Sequence, residues 1–251
     1  MKKLAILIGA PGQTNTDKHL KGVYSDMANY QRFLQSPSGG GWEKNEIGTI
    51  KNPDKAKLVA AIKNLGYFDY ILTVFSGHGA YSIDGKMILG INSTEHLFLS
   101  QLVSKAPKQM FIIDACRGFF DSGLYGFLGE ELRRFPSKLT KLQARNLYNK
   151  YLTKCENGLV VCYSCSVGES SWSSNDGGQF TTSLLDTTQQ WIETPSQYNI
   201  LPIHAAFTKA KNYVVRYAPR KYKQTPQLAK SNARTYWYPF AIRKAEDLFW
   251  D

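Results

Sequence analysis

Cysteine is scarce in this sequence, and its distribution argues against a disulfide-bonded fold. The 251 residues contain four cysteines, which are Cys116, Cys155, Cys162 and Cys165. Small secreted domains that rely on disulfides have many more cysteines for their length, spread along the chain. We therefore expect a reducing, cytoplasmic environment.

Long apolar runs are also missing. The run that follows Lys2-Lys3 ends at Gly9, short of the roughly 7–15 residues in the core of a signal peptide. No stretch approaches the ~20 apolar residues that a membrane span needs. We interpret the N-terminal run as a first buried strand and expect no membrane association.

Acidic residues are in deficit. Twenty Asp and Glu face 31 Lys and Arg, which gives a formal net charge of +11. A basic surface can bind nucleic acid or an acidic partner. No nucleic-acid-binding motif accompanies the charge, so we favour a solvated basic face and do not expect nucleic acid as a partner. A steep salt dependence of DNA or RNA binding would support the alternative.

Motifs for metals and cofactors are missing too. Cys162 and Cys165 have the spacing of a zinc or redox pair. On a strand, however, side chains at i and i+3 point to opposite faces, and no second Cys or His pair accompanies them. The glycine-rich segments 9–12 and 39–41 lack the other residues of a phosphate-binding loop. The sequence therefore predicts no metal site and no cofactor.

Four continuous apolar runs are present, and they predict strands of a parallel sheet. They are Leu4–Ile8, Tyr70–Phe75, Met110–Ile113 and Leu159–Tyr163. A run without polar alternation is typical of a strand that is buried on both faces.

Helical patterns separate these runs. Apolar stripes at helical spacing begin near Val23, Leu58 and Ile203. Strands that alternate with helices predict a doubly wound α/β sheet with helices on both faces, here as a single domain over 1–251. The stretch that best fits an internal linker or insertion is 119–157, which is charged and poor in turn residues.

A histidine and a cysteine follow two of the predicted strands. Ser76-Gly77-His78-Gly79 comes after the second run, and Asp114-Ala115-Cys116-Arg117-Gly118 comes after the third. In such sheets, catalytic groups lie at the carboxyl ends of the strands. A thiol beside an imidazole can act as a nucleophile, with the imidazole as base and then acid. We therefore predict His78 and Cys116 as a catalytic pair, and the backbone N–H groups of Gly79 and Cys116 as an oxyanion hole.

These motifs resemble the histidine and cysteine motifs of the caspase-like cysteine peptidases. Asp114, where caspases typically carry Gln, is similar to metacaspases, and the resemblance to bacterial members extends over most of the chain. It includes the early Leu20-x-Gly22-x-x-x-Asp26 pattern, Glu169, and Gln224-Thr225-Pro226-Gln227. The resemblance implies a three-layer sandwich with a mostly parallel central sheet, and endopeptidase activity on proteins or peptides.

The resemblance also implies a pocket for P1, the substrate residue before the cleaved bond. The acidic P1 pocket of metacaspases matches Asp26 and Asp114 here, with Ser76 in its wall. Two carboxylates in one empty pocket repel each other, and a P1 Arg or Lys would relieve that repulsion whereas Asp would add to it. We therefore expect cleavage after Arg or Lys.

Activation is less well defined by the sequence. Many metacaspases respond to calcium through an acidic cluster, but Asp121 and Asp176 have no companions at ligand spacing, so no calcium site is visible. Self-cleavage, calcium, an activating partner and an activating ligand all stay open. Basic residues that would suit self-cleavage between the cysteine motif and the fourth strand are Arg133, Arg134, Lys138, Lys141 and Arg145.

Two further interpretations concern the role of the protein. The chain could be a catalytically silent binding or scaffold module, although the intact His78 and Cys116 argue against it. Related bacterial enzymes often act as effectors in stress or antiviral responses, which makes a defence role an expectation from analogy alone.

Overall fold

The computed structural model describes residues 1–16, 18–118, 133–217, 223–231 and 236–245. The strands in these ranges are β1 (Lys3–Ala10), β2 (Ile47–Lys51), β3 (Tyr70–Gly77), β4 (Gly79–Tyr81), β5 (Met87–Gly90), β6 (His96–Phe98), β7 (Lys108–Asp114), β8 (Gly158–Tyr163), β9 (Ser173–Ser174), β10 (Gly177–Gly178), β11 (Ile200–Pro202), β12 (Gln227–Lys230) and β13 (Pro239–Ile242). The α-helices are α1 (Gly22–Gln35), α2 (Lys55–Lys63), α3 (Lys141–Lys154), α4 (Gln179–Glu193) and α5 (Ile203–Tyr217). Short 3₁₀ helices lie at Lys44–Glu46 and Leu99–Leu102.

Six strands form the central sheet, in the spatial order β2-β1-β3-β7-β8-β12. The pairs from β2 to β8 are parallel, and β12 pairs antiparallel with β8. The four predicted runs are confirmed as β1, β3, β7 and β8. Every residue of β3 is buried, because a central strand of such a sheet is covered on both faces. The prediction missed the edge strands β2 and β12, which are short and partly exposed.

Apolar side chains cover both faces of the sheet. One face packs against α1, α3, α4 and α5, with Phe33, Tyr148 and Phe180 among its fully buried side chains. The other face packs against α2 and the small antiparallel sheet of β4, β5 and β6, through residues such as Leu58 and Leu89. The predicted α/β sandwich, with a mostly parallel sheet between helices, is therefore confirmed.

The predicted linker or insertion, 119–157, contains α3. This helix begins after Thr140, whose hydroxyl accepts the Gln143 N–H in a capping box. Ala144, Tyr148 and Leu152 repeat at helical spacing and are buried in the core. This part of the interval is therefore an integral helix and not a linker, and residues 119–132 lie outside the described ranges.

The register of the sheet brings three carboxyl ends to one edge. Ala10 of β1 lies opposite Gly77 of β3, and Ser76 of β3 lies opposite Asp114 of β7. The segments that follow these strands therefore leave the sheet side by side.

Within the described ranges, none of the helices combines the length and the apolar composition that crossing a membrane requires.

Candidate active site

His78 and Cys116 line one cavity at this carboxyl edge. His78 directly follows β3, and Cys116 lies two residues beyond β7. Because β3 and β7 are neighbours in the sheet, the two motifs emerge next to each other. The structure thus brings together the histidine and the cysteine that the sequence placed at strand ends, and their catalytic role stays a prediction. We call this space the site cavity.

The loop after β1 orients the imidazole of His78. Its Nε2 lies 2.6 Å from the backbone carbonyl oxygen of Lys18. A carbonyl can only accept, so Nε2 carries the hydrogen and Nδ1 keeps the lone pair that can take a proton. The loop is closed at its base by the Leu20 N–H, which donates to the Pro11 carbonyl at 2.8 Å. Gly12 lies beside the ring and adopts a φ of +80°, a left-handed conformation that favours glycine.

The backbone around Cys116 is held on both sides. Its side chain is 6% exposed, and its Sγ accepts the Ser171 N–H at 3.4 Å. The guanidinium of the next residue, Arg117, lies 5.1 Å from the ring centre of Tyr81 and 4.1 Å from that of Tyr163. Such cation–π contacts fix the orientation of the cationic side chain. The thiol therefore has a defined position relative to the cavity.

Gly79 packs directly on the backbone of Cys116. A Cβ at Gly79 would lie 2.6 Å from the Cys116 carbonyl oxygen and 2.8 Å from the Ala115 side chain. Real Cβ atoms do not approach so closely, so this contact requires glycine. The two residues whose amides are predicted to form the oxyanion hole are thus in contact.

Asp26 of α1 reaches the same cavity. Its carboxylate accepts the Ser76 hydroxyl at 2.5 Å and the Gly178 N–H at 3.0 Å. Ser76 therefore joins the first helix to the end of β3. Asp26, Ser76 and Asp114, predicted together as a P1 pocket, all line the site cavity.

Asp114, the last residue of β7, is bonded from the opposite side of the cavity. It accepts the Ser171 hydroxyl at 2.6 Å and the Thr181 N–H of α4 at 2.9 Å. Ser171 contacts Cys116 as well. It therefore links the thiol to the acidic pocket.

The two carboxylates are buried together, with 1% of Asp26 and 5% of Asp114 exposed. Burial, followed by repulsion from Asp114, raises the pKa of Asp26 to about 8. Burial also raises the pKa of Asp114. Charged groups in such a setting are costly unless they are paired, so the empty pair retains a proton at neutral pH. A cationic ligand would offset the repulsion between the two carboxylates, so that both could ionise without the retained proton.

A small hairpin covers both carboxylates. The site cavity has a volume of about 30 Å³, which is room for about one or two water molecules. Gly177 and Gly178 of β10 lie so close that a side chain on either would overlap Asp26 or Asp114. The cavity in this conformation is therefore smaller than a lysine or arginine side chain.

Hydrogen bonds join two loops beside the cavity. Glu169 accepts the Thr225 N–H at 2.6 Å and the Thr225 hydroxyl at 3.1 Å. Gln224 accepts the Trp172 N–H at 3.1 Å and donates to the Ser164 carbonyl at 3.0 Å. These contacts give a structural role to Glu169 and Gln224, which sequence comparison had noted without assigning one.

Sequence reasoning missed several residues of the cavity. Its lining also includes Leu20, Val23, Ser171 and Ser173. The two serines lie in a polar stretch without apolar periodicity, which gives no signal for burial.

Among the described residues, no three His, Cys, Asp or Glu side chains lie close enough together to hold a metal ion. Asp176 lies on the β9–β10 hairpin, whereas Asp121 lies outside the described ranges. The question whether calcium activates the protein, left open by the sequence, stays open.

The chain was compared with known families and structures. A family model described as "Caspase domain" matches residues 2–238. No match was found among curated proteins. The resemblance drawn from the His78 and Cys116 motifs is therefore confirmed at the level of the family.

Solved structures share this fold at low sequence identity. Caspase-1 from Spodoptera frugiperda has a TM-score of 0.59 and 16% identity, over 91% of this chain and 86% of its own. A protein from Geobacter sulfurreducens has a TM-score of 0.56 and 15% identity, over 97% and 100%. The Drosophila initiator caspase Dronc has a TM-score of 0.54 and 10% identity, over 90% and 78%. At these identities, the likeness shows the fold alone.

Proposed function

Because the chain belongs to the caspase-domain family of cysteine peptidases, we propose that it is an endopeptidase with Cys116 as nucleophile and His78 as base. The observation that carries this proposal is the shared site cavity. It contains the thiol, an imidazole with its lone pair on Nδ1, and two buried carboxylates. A binding module would need none of these groups together.

The proposed reaction follows from the groups present. Nδ1 of His78 takes the thiol proton, and the Cys116 sulfur attacks the carbonyl carbon of the peptide bond. The N–H groups of Gly79 and Cys116 stabilise the oxyanion that forms. His78 then gives the proton to the leaving amine as the C–N bond breaks, which leaves a thioester on Cys116. Water, deprotonated by His78, hydrolyses the thioester and restores the thiol.

We propose that the substrate presents Arg or Lys at P1. Asp26 and Asp114 supply four carboxylate oxygens, and burial raises the pKa of both groups. A charge-assisted hydrogen bond in such a site contributes about 1.5–3 kcal/mol, which corresponds to a preference of roughly tenfold or more. A P1 Asp would add a third carboxylate to the same cavity.

The structure narrows the candidates for self-cleavage. A peptidase binds its substrate extended, and exposed irregular segments are the preferred points of cleavage. Lys141 and Arg145 belong to α3, and Arg145 forms a bidentate ion pair with the Glu46 carboxylate. Arg133 is ion-paired with Asp186 at 2.5 Å.

By contrast, Arg134 and Lys138 are exposed in the irregular segment before α3. We therefore propose that any activating self-cleavage within 133–157 follows one of these two residues. An activating partner or ligand, and a role in bacterial defence, stay predictions.

A fluorogenic peptide screen tests the proposed function. Substrates that differ only in P1 Arg, Lys or Asp are compared, each with and without calcium, and the Cys116→Ala variant serves as control. Hydrolysis after Arg or Lys that is lost in Cys116→Ala supports the proposal. Preference for Asp contradicts the P1 assignment, and no hydrolysis under any condition favours the silent scaffold.

A further inference from the structure

A second recess lies away from the site cavity, between α4 and α5. It has a volume of about 590 Å³, within the range of about 300–1,000 Å³ that is usual for small-molecule sites. From α4 it is lined by the face around Gln190 and Trp191, and from α5 by the face around Asn212 and Arg216. We call it the α4–α5 groove.

The charged side chains described along the groove are all positive. Of the described residues that line it, Lys209 and Arg216 are cationic and none is a carboxylate, and α5 contains no acidic residue. The acids of α4 are engaged elsewhere, since Asp186 is ion-paired with Arg133 and Glu193 accepts a hydrogen bond from Gln189. Two cations on one groove without a carboxylate raise the local concentration of anions.

Aromatic rings and amides supply the remaining surface. Tyr213 and Tyr217 lie with their ring centres 4.4 Å apart, and Tyr217 is 54% exposed. Trp191 lines the same groove, with the Arg243 guanidinium 4.8 Å from its ring centre. Aromatic faces of this kind stack on nucleobases. The primary amide of Asn212 offers both a donor and an acceptor to a base edge.

We propose that the α4–α5 groove binds a nucleotide, with its phosphate at Lys209 and Arg216 and its base against the tyrosines. An acidic peptide would satisfy the two cations but would leave the stacked rings and the amides without a matching group. The groove and the site cavity share α4, because Gly178 and Thr181 at the start of that helix donate to the two pocket carboxylates. The proposal does not depend on peptidase activity.

Calorimetric titration of the Cys116→Ala protein with AMP, GMP, CMP, UMP and ADP tests the proposal, and it has no catalytic readout. We expect at least one of these nucleotides to bind with a submillimolar Kd. Arg216→Gln should weaken it by about tenfold or more, the effect of one charge-assisted contact. Tyr217→Ala should weaken it to a similar degree through lost stacking.

Lys211→Gln is the matched control. It removes the same charge from the same helix, but Lys211 does not line the groove, so it should leave the Kd unchanged. Each variant is accepted only if its Tm matches that of the parent. Inorganic phosphate and a glutamate-rich peptide are titrated in parallel, and both should bind more weakly than the nucleotide.

Three results would overturn the proposal. The first is that none of the five nucleotides binds in the submillimolar range. The second is that Lys211→Gln weakens binding as much as Arg216→Gln, which would reduce the effect to general surface charge. The third is that phosphate or the acidic peptide binds as tightly as the nucleotides, which would assign the groove to a simple anion or to an acidic partner.

Discussion

The shared proton of Asp26 and Asp114 predicts how cleavage after arginine depends on pH. The pKa of Asp26 is raised to about 8 in the empty pocket, so the carboxyl is protonated below that pH and ionised above it. A P1 guanidinium binds the ionised form. Binding of arginine below pH 8 is therefore coupled to release of a proton, and the preference for arginine should rise as the pH increases towards 8.

The size of the effect follows from linkage. If one proton must leave, each pH unit below the pKa weakens arginine binding by up to tenfold, or about 1.36 kcal/mol. Two units below the raised pKa of Asp26, the loss reaches up to about 100-fold. Asp26→Asn leaves Asp114 as a lone carboxylate without that repulsion. In this variant, the preference for arginine should be smaller and should rise less steeply with pH over the same interval, since burial still raises the pKa of Asp114.

The assay compares two substrates that are identical except for arginine or citrulline at P1. Citrulline has nearly the shape of arginine and no charge. The ratio of their kcat/KM values cancels the titration of His78 and Cys116, because both substrates use the same dyad. The ratio should climb with pH in the wild type and climb less in Asp26→Asn. A flat ratio in the wild type, or an equal slope in the variant, would refute the proton-sharing pocket.

Three other results are expected. Gly79→Ala should lower kcat by about 10²–10³-fold, the effect of displacing one oxyanion donor. The control Gly48→Ala, whose Cβ would meet only one atom at 4.0 Å, should leave kcat unchanged. Equal losses in the two variants would contradict the role of the contact between Gly79 and Cys116. Asp26→Asn should be more stable than the wild type, by a margin that widens from pH 5 to pH 8. The reason is that a carboxyl whose pKa is raised on folding lowers the stability of the folded state as the pH rises from its unfolded to its folded pKa. A margin in Tm that narrows with pH would contradict the direction of that pKa shift. Incubated wild type should be cut after Arg134 or Lys138 while Cys116→Ala stays intact, and mass spectrometry that places the cut within α3 would disprove this choice.

The parts of the fold that were predictable from the sequence are those with a continuous apolar signal. β3 is buried at every position, and its run of apolar residues was visible at once. β2 and β12 form the sheet edges, where polar residues are tolerated, so their sequences resemble loops. α3 was obscured by its charged surface, since only Ala144, Tyr148 and Leu152 of its residues are buried.

The candidate site was predictable only where side chains carry the chemistry. His78 and Cys116 followed from strand ends and motif resemblance, whereas the acidic pair followed from the resemblance alone. The contact that orients His78 comes from the backbone carbonyl of Lys18, which any residue could supply. The cover over the carboxylates is likewise the backbone of β10. Such contacts depend on where loops that are distant in the sequence lie in the fold, so no local sequence pattern predicts them.

Active-site labelling tests the central claim most directly. A peptide that ends in a P1 arginine followed by an electrophilic group is incubated with the wild type, His78→Ala and Cys116→Ala. The labelled residue is then identified by mass spectrometry. The account predicts stoichiometric labelling of Cys116 in the wild type, much slower labelling in His78→Ala and none in Cys116→Ala. Labelling of Cys155, Cys162 or Cys165 instead, or a rate that is unaffected by loss of His78, would contradict it.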